Sequence, residues 1–303
     1  MRKEGKFVLF LGGGAMAGVF GAGVVYQLRE LNLYNKIKAV YGSSAGAFNM
    51  AYFLAAYSKP KQIDTGASIY WENLQRHFIF PEKTALGFLE RIWNRFIHKI
   101  PRRKILSVTN IDYLINVSKH KKILDIDALN KCPVPGYAKL YDIRTDKLIY
   151  KDIKKDTFEI LRQSTSAIPY YSTKKKQRYV DGGMVDGKGG YDYLRKRYPN
   201  EKIVICMNFR PYDVGFLSMI KNFFEGLFAS FMYPETGVFS RLVHKNRDLK
   251  DELSRIEKDK NAFLIYPPKN NPAFASTIEP KLLKESFRLG RKEAKKIIEW
   301  MNE

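Results

Sequence analysis

A serine flanked by two glycines is the residue of this chain best suited to act as a nucleophile. Ser44 follows Ile37–Tyr41, whose apolar, β-favouring residues predict a buried strand, and precedes Ala45–Tyr57, whose composition predicts a buried helix. A side chain at such a sharp turn projects clear of the backbone, and Gly42 and Gly46 would let strand and helix approach closely. The G-x-S-x-G spacing therefore predicts a nucleophile elbow.

Two other interpretations of these residues stay open at this point. Ser43 precedes Ser44 directly, although the glycine spacing selects Ser44. A serine at the start of a helix is also a favoured N-cap, with a purely structural role.

A glycine-rich loop after the first predicted strand, Phe7–Leu11, could stabilise negative charge. Gly12–Gly18 has the sequence GGGAMAG, which leaves backbone N–H groups unshielded, and the predicted helix Val19–Leu33 adds its positive end. The glycine spacing does not fit a dinucleotide-binding fingerprint, and the residues after the last glycine do not fit a P-loop. The remaining interpretation is an oxyanion cradle, which holds charge developing on a carbonyl oxygen. Since the strands before this loop and before Ser44 would be parallel neighbours, we expect both features at the same edge of the sheet.

The base that would activate the serine is harder to find, because the usual partner is a histidine oriented by an acid. None of the four histidines lies in a loop after a predicted strand; they are His77, His98, His120 and His244. Asp181 ends a short predicted strand and precedes Gly182 and Gly183, which would aim it into a site. An Asp-Gly pair is also a strong hairpin signal, so a plain turn is the alternative.

Taken in chain order, these motifs resemble those of the patatin-like phospholipases. That family carries a glycine-rich oxyanion loop after the first strand, G-x-S-x-G after the second and Asp-Gly-Gly or Asp-Gly-Ala much later. The match covers Phe7–Tyr57 and Ser164–Val185, including Ser166-Ala167-Ile168-Pro169. The resemblance implies an α/β fold, a three-layer α/β/α arrangement around a central, mostly parallel sheet. It also implies a Ser44–Asp181 dyad, with Asp181 as general base.

The resemblance further assigns the residues around the dyad. Backbone amides of four residues would form the oxyanion hole: Gly13, Gly14, Ala15 and Ala45. Six glycines would complete the motifs: Gly12, Gly18, Gly42, Gly46, Gly182 and Gly183. The family loop usually reads Gly-Gly-Gly-x-Arg-Gly, and the best register here places Ala15 at a glycine and Ala17 at the arginine. The departure leaves the amides of Gly13 and Gly14 able to point inward.

The function implied by the resemblance is that of a serine lipid acyl hydrolase, of phospholipase A or esterase type. It would cleave fatty acyl esters, such as a phospholipid, through an acyl-Ser44 intermediate, without a metal or another cofactor. One alternative is an esterase or thioesterase that acts on soluble acyl substrates. Another is a non-enzymatic basic protein that binds nucleic acid or a membrane. No recognised nucleic-acid-binding module appears, so we expect no nucleic-acid partner.

Composition indicates where such a protein would act. Lys and Arg total 53 against 31 Asp and Glu, a net charge of +22 that would attract an anionic membrane surface. The two widely spaced cysteines fit a reducing compartment, so we expect a cytoplasmic protein, peripheral at the inner membrane face. The apolar N-terminus resembles a secretory signal, but its many glycines would weaken the required helix. No later stretch is a clean membrane span.

The expected organisation is one domain over residues 1–303. Its catalytic core would cover 5–210 with a helical insert near 60–130, and 211–303 would be a helical part packed on the core. Thr84–Arg103 predicts a basic amphipathic helix. Gly215–Tyr233 predicts a helix buried on one side. A core helix is the simpler interpretation, and a lid or interfacial anchor is the alternative. Further predicted elements are a hairpin of Tyr137–Ile143 and Lys147–Tyr150, a helix Asp156–Ser164, a strand Lys202–Asn208, a charged surface helix Ser240–Lys258, a strand Ala262–Pro267 and a helix Ile278–Met301.

Overall fold

The protein was analysed as a computed structural model, which describes residues 6–58, 65–79, 108–171, 177–186, 188–213, 215–233 and 236–302. Within these residues one sheet has the strand order β4-β3-β2-β1-β6-β7, and β5 pairs with β3 as well. The strands are β1 Phe7–Leu11, β2 Ile37–Gly42, β3 Gly136–Asp142, β4 Lys147–Asp152, β5 Tyr179–Asp181, β6 Lys202–Cys206 and β7 Ala262–Ile265.

The centre of the sheet is parallel, as the sequence predicts. β1 pairs in parallel with β2 and β6, β2 with β3, and β6 with β7. β4 and β5 both run antiparallel to β3, so the predicted hairpin of β3 and β4 is confirmed. The apolar run of β1 is buried at every position, as expected for a strand covered on both faces.

Helices connect these strands and cover both faces of the sheet. They are α1 Val19–Glu30, α2 Ala45–Ala55, α3 Gln75–Phe78, α4 Ile111–His120, α5 Ile126–Lys131, α6 Thr157–Thr165, α7 Gly182–Asp186, α8 Tyr191–Arg197, α9 Phe216–Met232, α10 Val238–Lys258, α11 Pro280–Ala294 and α12 Lys296–Asn302. Short 3₁₀ turns occupy Ala15–Gly18, Leu33–Lys36, Ala56–Ser58 and Pro211–Asp213, and Tyr70–Leu74 is a π-helical turn.

Alternating side chains of β1 divide the core into two layers. Phe7, Leu9 and Leu11 pack with α1, α2 and α11 on one face of the sheet. Val8 and Phe10 pack on the other face with apolar residues of α8 and α10. The period of two along the strand thus gives a helix–sheet–helix arrangement, which confirms the expected fold class.

Several predicted elements differ in detail from the structure. The predicted helix Ile278–Met301 is two helices, α11 and α12, and β7 brings a strand of the 211–303 region into the sheet. The predicted amphipathic helix Thr84–Arg103 lies outside the described residues. In the part of the chain that is described, no helix combines the length and apolar character needed to cross a membrane.

Candidate active site

Ser44 lies at the corner between β2 and α2 with a backbone that an L-residue rarely adopts. Its φ is 54° and its ψ is −123°, and its side chain makes no capping hydrogen bond to α2. The N-cap interpretation is therefore wrong, because the hydroxyl does not serve the helix. Such a conformation costs about 1–3 kcal/mol and persists only where surrounding contacts impose it.

The two glycines of the motif allow this corner to form. A Cβ at Gly42 would lie 2.6 Å from the carbonyl oxygen of Gly46. A Cβ at Gly46 would lie 2.1 Å from the carbonyl oxygen of Leu11, at the end of β1. Helix α2 thus begins in direct backbone contact with β1 and β2, which leaves no space for a side chain at either position.

A buried serine of α6 accepts a hydrogen bond from the backbone of the elbow. The Ser44 N–H donates to Ser164 Oγ at 3.0 Å, and the Ser164 hydroxyl donates to the Lys139 carbonyl of β3 at 3.3 Å. Ser164 is fully buried. Ser164 begins a segment that resembles the family, but the sequence alone indicates no role for it.

Asp181 lies near Ser44 because β2 and β5 pair with successive parts of the same strand, β3. Gly42 is the last residue of β2 to pair with β3, opposite Ala138. Asp181 pairs with Leu140, two residues further along β3. The nucleophile corner and Asp181 are therefore attached to the same edge of β3, two residues apart along that strand.

Backbone amides hold the Asp181 carboxylate in a buried position. Asp181 is 2% exposed. Its Oδ1 accepts hydrogen bonds from the N–H groups of Gly183 at 2.9 Å and Met184 at 3.1 Å, both in the first turn of α7. Gly182 packs on β3, where an added Cβ would lie 2.8 Å from the Leu140 carbonyl carbon.

The protonation of Asp181 reflects a balance between burial and these hydrogen bonds. Burial raises the pKa of Asp181. Hydrogen bonds from the Ser44 hydroxyl and the two amides, together with the positive charge of Lys245, oppose the rise. A raised pKa makes a carboxylate a better proton acceptor, since its basicity moves toward neutrality.

Both serines of the motif approach Asp181, but only one also faces a cavity. The Ser43 hydroxyl lies 3.4 Å from Asp181 Oδ1 and is packed against Gly183, where a Cβ would lie 2.3 Å from Ser43 Oγ. Ser43 is 1% exposed. Ser44 lines the cavity described below, so it is the serine that a ligand can reach.

The glycine loop lies directly against the elbow. A Cβ at Gly13 would lie 3.0 Å from Ser44 Cβ, so the backbone of Gly13 approaches Ser44 closely. Among the described residues, the N–H groups of the four expected oxyanion donors, Gly13, Gly14, Ala15 and Ala45, donate to no protein acceptor. Unpaired amides beside a serine hydroxyl can bind a developing oxyanion.

Asn208, which follows β6, fixes the orientation of this loop. Its Nδ2 donates to the carbonyls of Gly12 at 2.6 Å and Gly13 at 3.2 Å, and its Oδ1 accepts from the Gly21 N–H at 2.8 Å. Because a trans peptide points its N–H opposite to its C=O, carbonyls held toward Asn208 turn the N–H groups of Gly13 and Gly14 away from it. Asn208 thereby sets the direction of both expected donors. The sequence predicts Asn208 only as the end of a strand.

The remaining loop residues make a tight connection into α1. Gly12 donates its N–H to the Cys206 carbonyl at 2.8 Å, which extends the β1–β6 ladder. Gly14 and Ala15 have φ values of 147° and 47°, and Gly18 packs against Ala45, to whose Cβ an added Cβ would come within 2.5 Å. Ala15 thus adopts a left-handed conformation that glycine would adopt at lower cost.

An apolar cavity opens beside Ser44. Its volume is about 60 Å³, and its walls include Phe48 and Tyr52 of α2, Tyr70 and Leu74 of the π-helical turn, and Phe78. The Tyr70 hydroxyl is bonded to Asn49 Oδ1 at 3.1 Å, which satisfies a polar group in this wall. At a liquid volume of roughly 30 Å³ per water molecule, the space is narrow, and a long acyl chain needs these side chains to move apart.

The histidines in the described part of the chain have other surroundings. The His77 ring packs on Tyr113 at a centroid distance of 5.4 Å, and His244 Nδ1 lies 2.8 Å from the Ser240 carbonyl on the exposed side of α10. His120 ends α4, and His98 lies outside the described residues. Within the described residues, no group of three or more His, Cys, Asp or Glu side chains is arranged to hold a metal ion.

The fold and the site together define an α/β protein with a serine elbow at the carboxyl edge of its sheet and a buried carboxylate beside it. The sequence profile of the Patatin-like phospholipase family matches residues 9–188, which include the elbow, the glycine loop and Asp181. The chain belongs to this family. It is a lipid hydrolase that acts on ester bonds.

Individual relatives are distant. The chain is 21% identical to the uncharacterized protein YjjU of Escherichia coli K12, over 95% of this chain and 76% of YjjU. Among solved structures, VipD from Legionella pneumophila has a TM-score of 0.43 at 13% identity, over 99% of this chain and 67% of VipD. The type III effector ExoU has a TM-score of 0.42 at 13% identity, over 99% of this chain and 54% of ExoU.

Proposed function

We propose that the protein is a serine lipid acyl hydrolase in which Ser44 is the nucleophile and Asp181 the general base. The observation that carries this proposal is the convergence at Ser44. Its side chain makes no capping bond and lowers the pKa of buried Asp181, and Ser44 lines an apolar cavity. An N-cap or a turn requires none of these features.

In the first half of the reaction, Ser44 is acylated. Asp181 accepts the hydroxyl proton while Ser44 Oγ forms a bond to the ester carbonyl carbon. The negative charge that develops on the carbonyl oxygen is held by amides of Gly13 and Gly14, and Ala15 and Ala45 are the further expected donors. The bond to the alcohol oxygen then breaks, and the leaving alcohol takes the proton from Asp181.

In the second half, water regenerates the enzyme. Asp181 accepts a proton from a water molecule whose oxygen bonds to the acyl carbon. The carbonyl oxygen again becomes negative and is held by the same amides. Ser44 Oγ leaves and recovers the proton from Asp181, so that a carboxylic acid is released and no other group is consumed.

Asn208 acts in this scheme as a positioning residue. It does not touch the reacting atoms, but its two bonds to loop carbonyls keep the N–H groups of Gly13 and Gly14 directed away from it. The family arginine is replaced here by Ala17, whose side chain is apolar and buried. Asn208 therefore supplies polar anchoring to a loop that lacks the arginine.

The substrate class that fits is a fatty acyl ester of an anionic or zwitterionic lipid, such as a phospholipid. The cavity walls are apolar like an acyl chain, which would enter as these side chains move apart, and the net charge of +22 attracts an anionic lipid surface. Reaction at that surface should weaken as salt screens the charge.

Labelling with a fluorophosphonate probe, followed by lipid profiling, tests the proposal. Wild type and Ser43→Ala should become labelled, whereas Ser44→Ala should not. Wild type should release fatty acid from phospholipid, and Asp181→Asn should lose this activity with its fold intact. Labelling of Ser44→Ala, or ester hydrolysis by Asp181→Asn at the wild-type rate, would contradict the assignment.

A further inference from the structure

Helix α9 (Phe216–Met232) buries two polar side chains, Asn222 and Glu225, and exposes most of its described large apolar side chains. Asn222 and Glu225 are 4% and 3% exposed. The sequence favours a core helix here, with its apolar side chains buried. The structure buries Phe228 and Ala229 but leaves most of the described large apolar side chains at the surface. A helix of ordinary amphipathicity would have the reverse arrangement.

The outward side chains form a continuous surface that we call the apolar ridge. The Phe223 ring lies 5.8 Å, centroid to centroid, from both the Phe224 ring and the Phe239 ring of α10. The ridge side chains are 36–58% exposed. They are Met219, Ile220, Phe223, Phe224, Leu227 and Phe239.

Specific polar contacts fix which side of α9 faces inward. Asn222 Nδ2 donates to Asn246 Oδ1 of α10 at 2.8 Å. Glu225 accepts a hydrogen bond from the Tyr170 hydroxyl and lies 3.6 Å from Lys221 Nζ. Since rotating α9 to bury the ridge would break the bonds to Asn246 and Tyr170, the outward position of the ridge is built into the packing.

These contacts also place α9 and α10, the helices that carry the ridge, beside the proposed active site. Tyr170 is three residues beyond Ala167, which lines the cavity. On the other side, Lys245 Nζ of α10 lies 3.9 Å from Sδ of Met184, whose N–H is bonded to Asp181. The helix pair that carries the ridge therefore contacts the segments on which the cavity and Asp181 depend.

We infer that the apolar ridge is the surface by which this protein docks on an anionic lipid bilayer. The choice of partner rests on the proposed function, since a lipid hydrolase must meet aggregated substrate. Charge favours the same partner, because Lys221 is the one exposed charged side chain among the described residues of α9, and the chain carries +22 overall. Apolar side chains would enter the boundary of the acyl region while lysine stays among the headgroups.

Co-sedimentation with vesicles tests the inference without requiring turnover. The 303-residue chain would be mixed with vesicles of phosphatidylcholine alone or with phosphatidylglycerol, at low and high salt. The double variant Phe223→Ser/Phe224→Ser should lose about tenfold in partition coefficient per phenylalanine on the anionic vesicles. The matched control is Ile123→Ser, which removes a 68% exposed apolar side chain outside the ridge and should bind like wild type.

A second measurement places the ridge in the bilayer directly. Phe224→Trp keeps an aromatic side chain, and its fluorescence should shift to shorter wavelength when anionic vesicles are added. Bromine-labelled lipid should quench the same fluorescence. An unchanged spectrum while the protein co-sediments would show that another surface binds, and would overturn the inference.

Hydrolysis of a soluble short-chain ester separates this inference from the proposed function. The double variant should hydrolyse it at the wild-type rate while losing activity on vesicles. If wild type binds vesicles through the ridge but hydrolyses no ester, the proposed function fails and the ridge assignment stands. If wild type is a dimer and the double variant a monomer, with no vesicle binding by either, a second copy covers the ridge and the inference is wrong.

Discussion

Replacing Asn208 should damage catalysis more than it damages substrate binding. Asn208→Ala removes the two donors that hold the carbonyls of Gly12 and Gly13 and the acceptor of the Gly21 N–H. Asn208→Asp keeps an acceptor for Gly21 but places a negative oxygen against two carbonyl oxygens. We therefore expect Asn208→Asp to be the more harmful change, although it alters the shape of the side chain least.

The magnitude follows from the contacts. Three hydrogen bonds at about 1 kcal/mol each imply a loss of roughly 3 kcal/mol in the free energy of unfolding. If the loop amides lose their alignment, the effect on kcat should resemble removal of one oxyanion donor, about 10²-fold or more. KM should change little, because the ground-state carbonyl depends less on these amides than the transition state does.

The assay is hydrolysis of a soluble ester, with kcat and KM determined separately at a temperature well below the unfolding transition of each variant. Asn222→Ala is the matched control, because Asn222 is also a buried asparagine with a side-chain partner but lies on α9, away from the glycine loop. It should lose stability and keep its kcat.

Two results would refute the reasoning. One is an Asn208→Ala enzyme whose kcat stays within about threefold of wild type although its stability has fallen. The other is a loss that appears in KM alone. Either result would mean that the loop amides hold their direction without Asn208.

Three further predictions concern groups near the site and in the core. Lys245→Met should move the acidic limb of the kcat/KM profile to higher pH, because the charge of Lys245 lowers the pKa of Asp181; an unmoved limb would show that Asp181 does not govern it. Burial raises the pKa of Glu252 from 4.5 to about 7, so this group favours folding below pH 4.5 and loses that contribution as pH rises toward 7. Between pH 4.5 and 8, the free energy of unfolding of Glu252→Gln in urea should therefore rise by roughly 3 kcal/mol relative to that of wild type. A difference between the two proteins that stays constant with pH would contradict the raised pKa. Gly46→Ala should lose more than about 3 kcal/mol of stability in the same measurement, since its Cβ would lie 2.1 Å from the Leu11 carbonyl oxygen, and wild-type stability would contradict the close packing.

The sequence predicted the elements that depend on local pattern. The apolar strands β1 and β2, each followed by a glycine motif, lie where the periodicity placed them, and their parallel pairing follows from the short crossover through α1. The role of Asp181 as general base was implied only by the family resemblance. Its approach to Ser44 depends on the pairing of β5 with β3, which spans residues far apart in the chain.

Other features could not be predicted because they depend on tertiary packing. Asn208 ends an apolar run at the carboxyl edge of the sheet, a position that could have drawn attention to it, but its three partners are distant in sequence. The composition of α9 indicates an amphipathic helix and does not determine which side faces inward. Helix α10 was expected to be a charged surface helix, yet Glu252 is fully buried and accepts a hydrogen bond from the Tyr191 N–H at 2.8 Å.

The attachment of both halves of the site to β3 has a consequence for how this enzyme can change. The distance between Ser44 and Asp181 is determined by how β2 and β5 pair with β3, and not by the number of residues between them in the chain. Insertions or deletions between β2 and β3 can therefore accumulate during evolution, or be introduced by engineering, while the reactive pair keeps its spacing. Substrate preference can diversify in that region independently of the chemistry.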